Sequence, residues 1–412
     1  MKQVLLIAYY FPPLGGAGVQ RTLKFTKYLR DFGWNPTVLT IQPHHSHLID
    51  ATLLNEVPSD IKVLRTPALA LPTWFPWKFR NLITRWLLVV DEQIGWLPIA
   101  VRQGKEILKS MDVDILLSSS APYTSHLIGN QLRDLAKLPW VADFRDPWIG
   151  NFAMTYPTRL HESIAQQFEH KVITSADRTL VVSEPMREAI LNRYVDLPPK
   201  NVITLTNGYD PADFVYIPIK GEQSSRFTIT YTGSFYANAI SPENFLAGLK
   251  LCLDNQRIPQ DKIRVIVVGN MSSKIIDYVN KLNLSGVVQF TGYVPHQTSI
   301  AYLLQSDLLL LIIGTLPGSQ VVFTGKIFEY LASKKPILAL APPGAASDLI
   351  REAHAGEVVS PEDIDEIANQ LYLYYSRWES GYLVPSSRPD VIQRYDRRLL
   401  TQTLASILDN LV

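Results

Sequence analysis

Val4-Leu5-Leu6-Ile7-Ala8-Tyr9, followed by Tyr10-Phe11-Pro12-Pro13-Leu14-Gly15-Gly16-Ala17-Gly18, is the stretch from which the fold can be read. Its first residues are apolar without a break, which suits a strand buried on both faces. Prolines and glycines then make a turn, and Val19–Phe32 shows helical spacing through Leu23, Phe25, Tyr28 and Leu29 before stopping at Gly33. Working outward, Pro36–Ile41, Val113–Leu117, Trp140–Phe144, Arg178–Val182 and Val202–Thr206 read as further strands, with a helix over Thr124–Lys137. The register restarts at Phe227–Thr232. It continues through Arg264–Val268, Val287–Phe290, Leu308–Ile313 and Pro336–Leu340, between helices over Pro242–Asp254, Ser273–Leu284, Gly325–Ser333 and Asp363–Tyr375. Short apolar strands alternating with helices predict an α/β fold with two facing Rossmann-like domains, over 1–206 and 227–385. Residues 207–226, with Gly208, Pro211, Pro218 and Gly221, read as a linker, and 386–412 as a helical tail.

A chain of 412 residues exceeds what one core usually holds, which agrees with two domains. Lys and Arg number 39 against 38 Asp and Glu, so no nucleic-acid partner is expected. Cys252 is the only cysteine, which excludes an internal disulfide and suits a reducing, cytoplasmic compartment; its spacing reads as a small buried residue on a helix. The apolar run at the start is short for a signal peptide. Leu82–Val101 carries Arg85, Asp91 and Glu92, which excludes a bilayer span there.

In open parallel sheets ligands sit beyond the carboxyl ends of the strands, so candidate residues should follow strands. Gly15, Gly16 and Gly18 follow the first and open a helix, a geometry suited to a diphosphate or a sugar hydroxyl, or to an empty turn. They do not form the dinucleotide fingerprint. Asp143, Arg145 and Asp146, in Asp143-Phe144-Arg145-Asp146-Pro147-Trp148, are catalytic candidates that could position hydroxyls or form a structural ion-pair network. Asn207 follows another strand in what is otherwise a turn. His126 begins a helix; it either touches the sugar or has no role. In the second half Gly233, Ser234, Gly269, Tyr293 and Val294 follow strands, and Thr324-Gly325-Lys326 opens a helix. There free amides and a cation suit a diphosphate leaving group, with Glu329 on the same face for ribose hydroxyls. Asp112-Val113-Asp114 precedes a strand and reads as a turn rather than a metal site.

Taken in order, these segments resemble the retaining glycosyltransferases of GT-B fold, the branch that includes bacterial cell-surface polysaccharide enzymes. Thr206-Asn207-Gly208-Tyr209-Asp210, Tyr231-Thr232-Gly233-Ser234, Phe290-Thr291-Gly292-Tyr293-Val294, Gly325-Lys326-Ile327-Phe328-Glu329-Tyr330-Leu331-Ala332 and Pro336-Ile337-Leu338-Ala339 carry the likeness with the segments above. The resemblance implies a UDP- or GDP-sugar donor as co-substrate, a glycan or lipid-linked acceptor, and neither metal nor other cofactor. It places Gly15 and Gly16 near the phosphates and acceptor, Gly269 and Tyr293 at the base, and Thr324, Gly325 and Lys326 at the diphosphate. Glu329 would meet the ribose, and the tail would cross back to the first domain. The earlier of the family's paired glutamates falls at Val321 here. A nucleotide-sugar epimerase and a non-catalytic nucleotide-sugar binder share the architecture and remain as alternatives. Aromatic and basic residues from Trp74 to Trp96 suit either peripheral contact with the inner face of a membrane or internal packing.

Overall fold

The computed structural model describes the chain except for residues 45–46, 70–85, 87–88, 152–153, 216–224, 236–239, 316–323 and 384–386. It divides into two compact units, Met1–Asn207 with Arg397–Val412, and Gly208–Asp396.

The first unit carries seven parallel strands: β1 (Lys2–Ala8), β2 (Trp34–Ile41), β3 (Val63–Thr66), β4 (Ile115–Ser120), β5 (Trp140–Phe144), β6 (Arg178–Val181) and β7 (Val202–Thr204). They lie in the order β3-β2-β1-β4-β5-β6-β7. Leu5 and Ile7 face one core cluster, Val4, Leu6 and Ala8 another, so the period of two buries both faces. Each buried Val, Leu or Ile side chain among them contributes about 1.5–3 kcal/mol by leaving water. The crossover helices are α1 (Ala17–Tyr28), α2 (Leu97–Ser110), α3 (Thr124–Ala136), α4 (Arg159–Ser175) and α5 (Glu184–Arg193).

The second unit repeats the plan with β8 (Phe227–Thr232), β9 (Ile263–Val268), β10 (Val288–Gly292), β11 (Leu308–Ile312), β12 (Ile337–Leu340) and β13 (Gly356–Val359), in the order β10-β9-β8-β11-β12-β13. Its helices are α6 (Glu243–Asp254), α7 (Ser273–Lys281), α8 (His296–Leu304), α9 (Lys326–Ser333), α10 (Ala345–Glu352), α11 (Ile364–Glu379) and α12 (Pro389–Gln393). On β11, Leu308, Leu310 and Ile312 face one cluster while Leu309 and Leu311 face the other. Cys252 is buried in this core and its Sγ–H donates to the Ala368 carbonyl at 3.1 Å.

Several boundaries differ from expectation. β3 and β13 are edge strands; with one side toward solvent they lack an unbroken apolar run, the signal that marks the central strands. Residues 208–215 are built into the second unit rather than strung as a linker. The Tyr209 amide donates to the Tyr395 carbonyl at 3.0 Å, and Asp210 caps a short helical turn over Pro211–Phe214. The tail is two helices. α12 buries Val391 and Ile392 in the second unit's core, and α13 (Arg397–Asp409) packs Leu404, Ala405 and Leu408 against Phe25, Leu29 and Trp34 of the first unit. Among the described residues no helix is long and apolar enough to cross a membrane.

In each sheet the strand order reverses once, between β1 and β4 and between β8 and β11. Crossovers leave in opposite directions there, opening a crevice beyond the carboxyl ends.

Candidate active site

At the first unit's switch point Asp143 and two guanidinium groups are bound within their own unit, while Ser120 Oγ, Ser125 Oγ and His126 Nε2 are buried with no hydrogen-bond partner among the described residues. The Asp143 carboxylate, fully buried at the end of β5, accepts from Arg21 Nε at 2.9 and 3.1 Å and from Arg21 Nη2 at 2.7 Å. Ser119 at the end of β4 donates to the same carboxylate at 2.8 Å. Arg21 also donates to the carbonyls of Thr206 at 2.7 Å and Leu205 at 2.9 Å, just past β7. Asp143, expected as a catalytic group, is thus the anchor of an internal ion pair joining α1 to three strand ends.

Arg145 has a similar part. Its Nε donates to the Ser120 carbonyl, Nη1 to that of Gly18, and Nη2 to that of Ala121 at 2.8 Å. It holds the start of α1 against the end of β4, and burial lowers its pKa. A Cβ at Gly18 would press on the Tyr10 ring at 3.2 Å and on Arg145 Nη1 at 3.4 Å, so a glycine is needed for that approach. Gly15 donates its amide to Leu48 at 2.9 Å, which takes that amide away from a ligand. Gly16, at φ 89°, begins α1 with no side-chain cap. Asp146 is partly buried beside Arg145, and burial raises its pKa.

His126 is fully buried. Its Nδ1 lies 2.8 Å from Ser118 Oγ, which also accepts from Trp140 Nε1 at 2.9 Å. Burial pushes its pKa down to about 3, so the ring is neutral, and its Nε2 has no hydrogen-bond partner among the described residues. Asn207 closes the first unit just past the Thr206 carbonyl that Arg21 binds.

The second unit's switch point is finished differently. The ends of β8, β9 and β10 meet through glycines. The Gly233 amide donates to the Val268 carbonyl at 2.8 Å, and Gly269 bridges to Gly292. Gly269 has φ 143°, and a Cβ there would collide with the Gly233 carbonyl. Lys326 in the first turn of α9 reaches this point. Its Nζ lies 4.1 Å from the centre of the Tyr231 ring, and a Cβ at Gly233 would sit 2.8 Å from it. The ammonium over an aromatic face is favourable, yet burial pushes its pKa down to about 7, opposed by the Glu329 charge.

The start of α9 has no side-chain cap, and Thr324 Oγ1 just before it is buried with no hydrogen-bond partner among the described residues. Glu329 lies one turn on and accepts from or pairs with His296 Nε2 at 2.9 Å. Tyr330 ties α9 to β8, its hydroxyl accepting from the Thr232 amide at 2.9 Å. Tyr293 donates its amide to Asn270 Oδ1 at 3.1 Å, with Val294 beside it; Ser234 is exposed and accepts from the Tyr231 hydroxyl at 3.3 Å.

The structure therefore gathers Gly233, Gly269, Thr324, Gly325, Lys326 and Glu329 around one edge of the second sheet, and Gly18, Asp143 and Arg145 around one edge of the first. Arg21 and His296 were not anticipated. A cation on the buried face of α1, among Val19, Leu23 and Phe25, is a signal for an internal partner; His296 carries none.

A model of the family Glycosyl transferases group 1 matches residues 226–376, and one of the Glycosyl transferase 4-like domain matches residues 15–208. The chain belongs to the GT-B glycosyltransferases. Solved structures agree in fold with this glycosyltransferase. A sucrose-phosphate synthase from Thermosynechococcus elongatus superposes with a TM-score of 0.73 at 17% identity, covering 100% of this chain and 99% of that one. HepE from Anabaena, in complex with UDP and glucose, gives 0.71 at 17% identity with 100% of both chains covered. WaaG, a glycosyltransferase involved in lipopolysaccharide biosynthesis, gives 0.64 at 14% identity, covering 98% and 99%. No curated protein matches the sequence.

In this glycosyltransferase Trp96 is fully buried, its Nε1 donating to Thr66 Oγ1 at 2.8 Å, so it is a core residue rather than a membrane contact. Trp74, Phe75 and Trp77 of the aromatic stretch, and Val321, lie outside the described residues. Asp114 accepts from the Gln3 amide at 2.6 Å, in keeping with a turn.

Proposed function

We propose that this glycosyltransferase moves a sugar from a UDP- or GDP-sugar to a glycan or lipid-linked acceptor of a cell-surface polysaccharide, with retention at the anomeric carbon and without a metal. The observation that supports the donor reading is the start of α9: an uncapped helix end, the unpartnered Thr324 hydroxyl and the Lys326 amine meet where the Gly233 and Gly269 backbones lie in contact. These groups suit two negatively charged phosphates. As the bond from the anomeric carbon to the phosphate oxygen breaks, charge develops on the departing nucleoside diphosphate. Lys326 and the α9 amides stabilise that charge in the role a metal has elsewhere. The acceptor hydroxyl supplies the oxygen of the new glycosidic bond and passes its proton to the departing diphosphate. Glu329, held by His296, suits a ribose hydroxyl. HepE, similar in fold, was solved with UDP and glucose, which favours a uridine nucleotide.

A thermal-shift panel of UDP, GDP, ADP and CMP with their sugar conjugates tests this. A ligand present at 100 times its Kd stabilises by about 2.7 kcal/mol, a readable shift. Stabilisation by UDP or GDP and their conjugates, unchanged by EDTA, is the expected result. A flat panel overturns the donor assignment. Release of free nucleotide with an acceptor present, rather than an isomeric nucleotide sugar, separates transfer from epimerisation.

A further inference from the structure

A cavity of about 460 Å³ opens on the second unit at the edge of the sheet opposite to Lys326. It lies where β12 and β13 begin, since Lys335 and Pro336 precede β12 and Ala355 precedes β13. Lys335, Arg351 and Arg377 line it, with His354 beside them, against the single carboxylate of Glu357. In a chain whose charges nearly balance, 39 against 38, this is a local excess of cations. Lys335 and Arg377 form no ion pair among the described residues, although the Asp307 carboxylate lies near enough to Lys335 for their charges to interact, and exposed Arg351 has only exposed Asp348, 3.5 Å away. The exposed ring of Tyr382 stands at the rim with Leu383.

We propose that this cavity binds a phosphate monoester dianion, as a second ligand site separate from the donor site. Three cations in one lining, two of them guanidinium groups that can grip oxygens in pairs, suit a doubly charged phosphate. The volume lies in the range of small-molecule sites. Tyr382 and Leu383 offer an aromatic and an apolar surface for the ester's organic part. Such a monoester can be a free solute or a lipid head group.

Calorimetric titration of the full chain at low salt with inorganic phosphate and with glycerol 3-phosphate tests the solute source, and flotation with vesicles containing phosphatidic acid tests the lipid source. Binding by either, weakened about tenfold or more in Lys335→Gln/Arg377→Gln, is the expected result. UDP titrated into the same variant should bind as in the wild type, showing that the unit is folded and the site distinct. Binding to vesicles alone supports the site and identifies its ligand as a membrane head group. Silence in every arm, or equal binding by the variant, overturns the proposal.

Discussion

The two switch points share one strand order but differ in how their charges are used. In the first, every nitrogen of Arg21 and of Arg145 is bound to a carboxylate or a backbone carbonyl of its own unit. In the second, Lys326 rests on a ring face and Thr324 Oγ1 has no partner among the described residues. A satisfied network in a low dielectric stiffens the loops it joins, whereas an unsatisfied one costs stability until a ligand completes it. The same position in the same topology holds a paired guanidinium network in one unit and, on the proposed function, the donor site in the other, although His126 Nε2 beside the first is likewise buried with no partner among the described residues. Substitutions should therefore cost stability in the first and function in the second.

The largest expected effect is on the Arg21–Asp143 pair. Replacing Asp143 by Ala leaves a guanidinium buried without its counter-charge, which costs about 3–5 kcal/mol. Urea unfolding followed by tryptophan fluorescence measures it; a loss below about 1 kcal/mol would show that the pair does not hold the loops. Lys326→Ala is the contrasting variant. It should lower turnover about 10²–10³-fold, the usual cost of one group that stabilises developing charge, while the urea midpoint stays close to wild type. Near-normal turnover would remove Lys326 from the chemistry, and a large loss of stability would erase the distinction between the two edges.

The central strands and the positions after them were legible, because an apolar run followed by glycine is a local signal. Gly233 and Gly269 follow β8 and β9 directly, and Lys326 opens α9 as its spacing suggests. What each charged group does was not legible. Asp143-Phe144-Arg145-Asp146 reads equally as groups that position hydroxyls or as an ion-pair network, and only the fold brings Arg21, 122 residues earlier in the chain, into contact with Asp143. Pairing of this kind depends on tertiary distance, which a sequence pattern does not carry. Trp96 shows the same limit: an aromatic beside prolines suits an interface or a core, and its hydrogen bond to Thr66 decides for the core.

The Lys326 amine also makes the second edge sensitive to pH. Its pKa in the free protein is about 7, below the ordinary lysine value of 10.5. Above pH 7 the free amine is increasingly neutral, so binding a diphosphate must take up a proton. UDP affinity should fall with rising pH between 7 and 9, by up to about tenfold per unit. The unfolded chain binds more protons than the folded one between 7 and 10.5, so this residue makes the unliganded protein more stable, not less, as pH rises there. Calorimetry of UDP at pH 6.5 and 8.5 checks the first sign. An affinity independent of pH in the wild type, or a dependence that persists in Lys326→Met, would assign the titration elsewhere.

The smallest effect separates a buried polar atom that waits for a ligand from one that serves the fold. Thr324→Val removes the hydroxyl and keeps the shape. Because Thr324 Oγ1 has no partner among the described residues, the unliganded protein should be unchanged or stabilised by up to about 1 kcal/mol. If the hydroxyl donates to a phosphate oxygen, UDP should bind about tenfold more weakly, the lower end of the value of one hydrogen bond to a charged group. The two readings move in opposite directions within one variant. Lower stability with unchanged UDP affinity would make Thr324 a structural cap of α9, and the contrast between the edges would then rest on Lys326 alone.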